Sequence, residues 1–159
     1  MSLFNEILRY LGYKNQDVDE LTAEQINKYI DFFEKKITPR YMYKIFDVEA
    51  KDDIRLENTN VHFEGKDIYN HLKDATKCAV MAATLGAESE RILNLLSKTK
   101  VSEAIIFDAV CTAKIEEVCD ECEKQIKQQA LGDDFYTNYR YSPGYGDFPL
   151  ESQRSITSI

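Results

Sequence analysis

The sequence predicts an α+β fold. Two segments with apolar residues at helical spacing open the chain, and a block of short aromatic and β-branched segments follows. A longer helical stretch then gives way to an aromatic segment rich in turn residues. Helices and strands come in blocks rather than as alternating βαβ units, which is the pattern of segregated α+β layers and not of a parallel sheet. At 159 residues the chain is expected to form a single domain spanning residues 1–159.

Each element has its own signal. Leu3, Phe4, Ile7, Leu8 and Leu11 fall on one stripe of an amphipathic helix that starts within Met1-Ser2-Leu3-Phe4-Asn5-Glu6, and Gly12 stands where a C-terminal cap belongs. An acidic connector from Asn15 to Glu20 leads to Thr22-Ala23-Glu24-Gln25, a capping-box pattern. The helix it opens buries Ile26, Tyr29, Ile30, Phe33 and Ile37 and stops at Thr38-Pro39. From Arg40 the texture turns to strand formers: Tyr41, Tyr43, Ile45, Phe46 and Val48. Ile54-Arg55-Leu56 and Val61-His62-Phe63 are two further short strands, and Asp67 is placed to cap a short helix ending at Leu72.

Cys78 to Thr84 is an apolar run of strand length closed by Gly86, read as a buried central strand with a buried helix as its competitor. Glu88 to Leu96 reads as a helix with Ile92, Leu95 and Leu96 inward. Ser102 opens a longer helix running to about Leu131. Its inward set is Ile105, Ala109, Ala113, Glu116 or Ile115, Cys119, Cys122 and Ile126. After Gly132-Asp133-Asp134, the segment Phe135 to Tyr141 is expected to be extended. No internal repeat and no low-complexity segment interrupts this order.

Composition narrows the function classes. The chain carries 20 basic against 28 acidic residues, a net charge of −8. Nucleic acid and anionic membrane both need basic surface, so neither is expected as a partner, and the acidity by itself serves solubility. No window reaches the ~18 apolar residues of a membrane helix, and the N-terminus lacks a basic region followed by an apolar run. The expected location is cytoplasmic, with Cys78, Cys111, Cys119 and Cys122 as reduced thiols. Cys119-Asp120-Glu121-Cys122 is a C-x-x-C, but it sits mid-helix rather than at a helix N-terminus, where redox pairs gain their low thiol pKa. Buried small thiols are the better reading, and no metal site is expected.

The most informative stretch is Arg140-Tyr141-Ser142-Pro143-Gly144-Tyr145-Gly146-Asp147-Phe148-Pro149-Leu150. Two prolines stiffen it and bias Ser142 and Phe148 towards extended geometry. Gly144 and Gly146 can take positive φ and allow a ligand close to the backbone. A pre-shaped loop carrying a guanidinium, phenol rings and a carboxylate loses little entropy on binding a small polar ligand.

This stretch resembles the activation domain of cobalamin-dependent methionine synthase. Arg140, Gly144 and Tyr145 match the family's S-adenosylmethionine signature R-x-x-x-G-Y, and the longer run resembles stand-alone, single-domain relatives. Thr84-Leu85-Gly86 and the preceding long helix also fit. The resemblance implies an antiparallel β-sheet wrapped by helices. It also implies a module that binds S-adenosylmethionine and supports reductive remethylation of cob(II)alamin on a corrinoid-dependent methionine synthase lacking its own activation domain. The electron donor would be a flavodoxin or ferredoxin. Family members continue further past the signature, so a chain truncated at the C-terminus or a minimal relative is implied.

Carried onto this chain, the cofactor-binding set is Arg140, Ser142, Gly144, Tyr145 and Glu116. The planar Arg140 guanidinium suits the ligand's carboxylate bidentately, and its plain alternative is an exposed side chain or a pair with Asp133 or Asp134. Ser142 stands where the family holds the nucleoside by main-chain atoms. Gly144 is both a turn glycine and a gap for the ligand. Tyr145 either lies against adenine or reaches in with its hydroxyl, and its alternative is a buried aromatic. Glu116 lies near the face of Ala109, Ala113 and Cys119, where a carboxylate is unusual unless paired, and its charge would suit the sulfonium. No catalytic acid or base is required. The competing class is a non-catalytic small-molecule-binding or interaction protein that keeps the fold without methyl donation. A methyltransferase acting alone is disfavoured because no Asp-x-His-x-x-Gly cobalamin-ligand motif is present.

Overall fold

The structure is a computed structural model that describes residues 2–14 and 16–159. The expected helix start at Met1 and connector start at Asn15 lie outside the described residues. The elements in chain order are α1 (Leu3–Tyr10), α2 (Glu20–Lys36), β1 (Arg40–Ala50), β2 (Ile54–Leu56), β3 (His62–Phe63), α3 (Lys66–Leu72), β4 (Lys77–Thr84), α4 (Ala87–Thr99), α5 (Val101–Gly132) and α6 (Ser152–Ile156). They form two compact units. The first comprises Met1–Tyr41 with Ala83–Glu121, and the second Met42–Ala82 with Cys122–Ile159.

The first unit is helical. Ser2 caps α1 by accepting from the Asn5 N–H at 3.3 Å. The cap of α2 is Asp19 and not Thr22: its carboxylate accepts from the Thr22 N–H at 2.9 Å and from the Thr22 hydroxyl at 2.7 Å. The cap therefore lies three residues before the one the capping-box pattern offers, because a carboxylate is a strong acceptor for the unsatisfied first-turn donors. The core joins Ile7, Ile26, Tyr29, Phe33, Ile37, Ile92, Ile106, Phe107, Ala109, Val110 and Ala113. Phe107 is its centre, with the rings of Tyr29 and Phe32 at 5.4 and 6.2 Å.

Phe107 also sets the rotation of α5, and this corrects the expected inward set. Ile106, Phe107 and Val110 are buried while Ile105 is 59% exposed. Three consecutive apolar residues surround the helix there, so periodicity alone could not choose among them. Leu95, expected inward on α4, is likewise exposed, and Ile92 carries that contact.

At the rim of this core, Glu103 collects two cations and a hydroxyl: Lys28 Nζ at 2.9 Å, Lys100 Nζ at 2.8 Å and the Tyr29 hydroxyl, which donates to it. Bonds from Lys100, Tyr29 and Lys28, in that order, hold its carboxyl at about 2 against an ordinary 4.5. Burial, then the neighbouring carboxylate, push the Tyr29 phenol up. Since the folded value of Glu103 lies below the unfolded one, its stabilisation is complete above about pH 4.5 and is lost as pH falls to about 2. Thermal melts of wild type and Glu103→Gln should differ at neutral pH and converge across that window. A gap that persists to the acid end would assign the effect to packing instead.

The second unit holds a four-stranded antiparallel sheet in the order β3-β2-β1-β4. Val48 faces Leu56 and Ala50 faces Ile54 across β1 and β2, and Ile54 faces Phe63 across β2 and β3. In β2 and β3 alternate residues point inward, so Ile54, Leu56 and Phe63 are buried while Arg55 and His62 are exposed. β4 is a strand, which settles its competition with a helix, but it lies at the end of the sheet rather than in the centre. An apolar run reports faces that tolerate burial, and it is silent on how many neighbours a strand has.

Against the sheet pack Ile68 and Leu72 of α3 and the loop residue Phe148, giving a second core with Phe46 and Val61. Phe135 to Tyr141, expected extended, forms no strand. Among the described residues no helix is long and apolar enough to cross a membrane.

Candidate functional site

The loop from Arg140 to Leu150 is built from two consecutive turns. The Tyr145 N–H donates to the Ser142 carbonyl at 3.1 Å, with Pro143 second and Gly144 third at φ +94°. Proline followed by a positive-φ glycine is the chemistry of a type II turn. The Phe148 N–H then donates to the Tyr145 carbonyl at 3.0 Å across Gly146 at φ +53°, and the Gly144 N–H closes the loop onto the Phe148 carbonyl at 2.8 Å. Both glycines are thus required by backbone geometry.

Two attachments fix this loop to the second unit. Phe148 is 3% exposed and meets the Phe63 ring edge-on at 5.3 Å. Asp147 reaches the first turn of α3, accepting from the Lys66 N–H at 2.7 Å and the Asp67 N–H at 3.0 Å. The expected cap of α3, Asp67, does not serve its own helix. It accepts from the Asp147 N–H at 3.3 Å.

The segment leading into the loop runs along the other end of α3. His71 Nε2 lies 3.0 Å from the Tyr139 carbonyl, and Asn138 Nδ2 donates to the His71 carbonyl at 2.9 Å. The His71 ring meets both Tyr139, at 4.6 Å between centroids, and Tyr141, at 5.2 Å. Tyr141 also faces Tyr145 edge-on at 6.0 Å, and its hydroxyl lies 3.4 Å from the Tyr145 carbonyl. Burial, then the charges of Asp67 and Asp147, push its phenol up. Asp67, Asn70, His71, Asn138, Tyr139 and Tyr141 line an open polar cleft of about 460 Å³.

Arg140, Ser142, Gly144 and Tyr145 therefore share one loop of the second unit. Arg140 is half-buried, with Nε 3.5 Å from Glu123 Oε2, an acidic neighbour that the alternative of a pair with Asp133 or Asp134 did not include. Tyr145 is 61% exposed, which removes the alternative of a buried core aromatic. Ser142 is exposed as well. Glu116 belongs to the first unit, and there the burial argument fails: the fully buried stripe of α5 in that unit ends at Ala113, and Glu116 is exposed.

Sequence reasoning missed Asp147, His71, Asn138 and Tyr139. None has a local signal, because each acts on a partner more than sixty residues away in the chain. Three of the four cysteines behave as core thiols. Cys122 is fully buried, burial pushes Cys78 up to about 11, and burial followed by the Asp108 charge pushes Cys111 up to about 12.

No protein-family model matches the chain, and no curated protein matches it by sequence. Among solved structures it is similar to the crystal structure of the MetH reactivation domain bound to AdoHcy, with a TM-score of 0.61 at 13% identity. The match covers 99% of this chain and 66% of that one, so the chain spans a little under two-thirds of its structural neighbour. At that identity the likeness is one of fold, and the α+β architecture of this chain is the fold of the MetH reactivation domain.

Proposed function

We propose that the chain is an S-adenosylmethionine-binding reactivation module that supports reductive remethylation of cob(II)alamin on a separate corrinoid-dependent methionine synthase. The observation that carries this reading is the turn-built loop presenting Arg140, Gly144 and Tyr145 on a reactivation-domain fold. The neighbour's bound AdoHcy is what S-adenosylmethionine becomes once its methyl group has left. The remethylation adds one electron and the sulfonium methyl group to cobalt and leaves a thioether.

The chain's own contribution is binding and orientation. Arg140 receives the ligand's carboxylate, Gly144 lets it approach the backbone, and the exposed Tyr145 ring covers the nucleoside held along Ser142. The partner is a methionine synthase without this domain, served by a flavodoxin or ferredoxin. The Arg140–Glu123 ion pair favours a second reading, a binding or interaction protein in which the guanidinium serves structure and no methyl group is donated.

Calorimetric titration with S-adenosylmethionine and AdoHcy separates the two. Arg140→Ala should cost about 1.5–3 kcal/mol of affinity, the worth of a charge-assisted bond, or roughly ten- to a hundred-fold. Equal binding by wild type and variant would remove Arg140 from the site. A wild-type protein that binds neither ligand would leave the second reading.

A further inference from the structure

We infer that Asp147 is a positioning residue: it locks the signature loop onto α3 and so sets where Gly144 and Tyr145 present themselves. The inference deepens the proposed function and rests on it for the ligand, although the lock itself stands on geometry alone.

Helix α3 starts without a cap of its own. Gly65 precedes it at φ +131° and has no side chain to offer the first-turn donors. The acceptor comes instead from Asp147, whose two oxygens take the Lys66 and Asp67 N–H groups separately. The return bond, from the Asp147 N–H to the Asp67 carboxylate, makes the contact reciprocal. Both sides are shaped for close approach. A Cβ on Gly65 would stand 2.7 Å from Asp147 Oδ1, and a Cβ on Gly146 would overlap Asp67 Oδ2 and stand 2.8 Å from the Tyr141 hydroxyl. Gly65-Lys66-Asp67 and Gly146-Asp147 are therefore matched halves of one contact. The N–H groups of Asp67 and Lys66 hold the Asp147 carboxyl below the ordinary carboxylate range, as expected for a charge on a helix N-terminus.

The lock passes directly to the ligand-facing residues. Asp147 adjoins Phe148, and Phe148 exchanges bonds with the Tyr145 carbonyl and the Gly144 N–H. Without the carboxylate, Phe148 would still seat in the core, but the turn centred on Gly146 and Asp147 would lose its outside support. Asp147 touches no ligand in this account.

The test compares wild type, Asp147→Ala and Asp147→Asn in the full chain, with amide hydrogen exchange, thermal melting and AdoHcy calorimetry. Asp147→Ala should speed exchange at Gly144 and Tyr145 about ten-fold or more while leaving Val110 of the first unit unchanged. AdoHcy affinity should fall by about ten-fold at a temperature where the variant is fully folded. Asp147→Asn keeps one acceptor oxygen and should recover part of both effects, and it carries the test if the alanine variant does not fold. Unchanged exchange at Gly144 and Tyr145 in a folded variant overturns the lock. Faster exchange with unchanged affinity overturns its bearing on the ligand. If wild type binds no AdoHcy, the functional reading falls while the exchange arm still decides the lock.

Discussion

Replacing Phe107 with alanine should lower the unfolding free energy by about 3–5 kcal/mol, the range for emptying a fully buried aromatic site. Phe107 is completely buried in the first unit and holds the rings of Tyr29 and Phe32. Its replacement opens a cavity in a core drawn from four helices, and the ring of Tyr29, whose hydroxyl donates to Glu103, loses its backing. Urea denaturation measures the loss as a shift of midpoint at constant slope. Ile105→Ala, one turn face away and 59% exposed, should change stability by under about 0.5 kcal/mol. Reversed magnitudes would mean that α5 is rotated from the arrangement described above.

That contrast marks where the sequence was readable. The helices were legible because their apolar periodicity is long enough to outvote single residues, as in Ile26, Tyr29 and Phe33 of α2. Rotation about a helix axis was not legible where Ile105, Ile106 and Phe107 stand together, since only a tertiary partner selects among them. Short strands were found from β-branched and aromatic texture, but the place of β4 at the end of the sheet depends on pairing that no local pattern encodes.

The loop divides in the same way. Its turns could be foreseen from Pro143, Gly144 and Gly146, because proline and positive-φ glycine act on their own backbone. Its attachments could not. Asp147 looks like one more turn carboxylate until α3 is brought against it, and Asp67 looks like the cap of its own helix until Asp147 takes that place. The burial expected at Glu116 failed for a related reason. A heptad step from Ala109 continues the inward face only while the core continues, and the buried stripe of that unit ends first.

Phe148→Ala should destabilise the second unit by about 3–5 kcal/mol, and it should do so through a residue that lies in a loop. Loop positions are ordinarily exposed and tolerant. Phe148 is 3% exposed, packs on Phe63 and shares a core with Ile54, Leu56 and Ile68. Phe148→Leu keeps most of the apolar volume and should recover more than half of the loss. Tyr145→Ala, only three residues earlier but 61% exposed, should alter stability by under about 0.5 kcal/mol. The pair separates holding from presenting: Phe148 binds the loop to the sheet core, and Tyr145 is left facing outward. A loss under about 1 kcal/mol for Phe148→Ala would show that the sheet core closes without the loop. In that event Asp147 alone would carry the attachment, and the loop would be a tethered arm instead of a fixed part of the second unit.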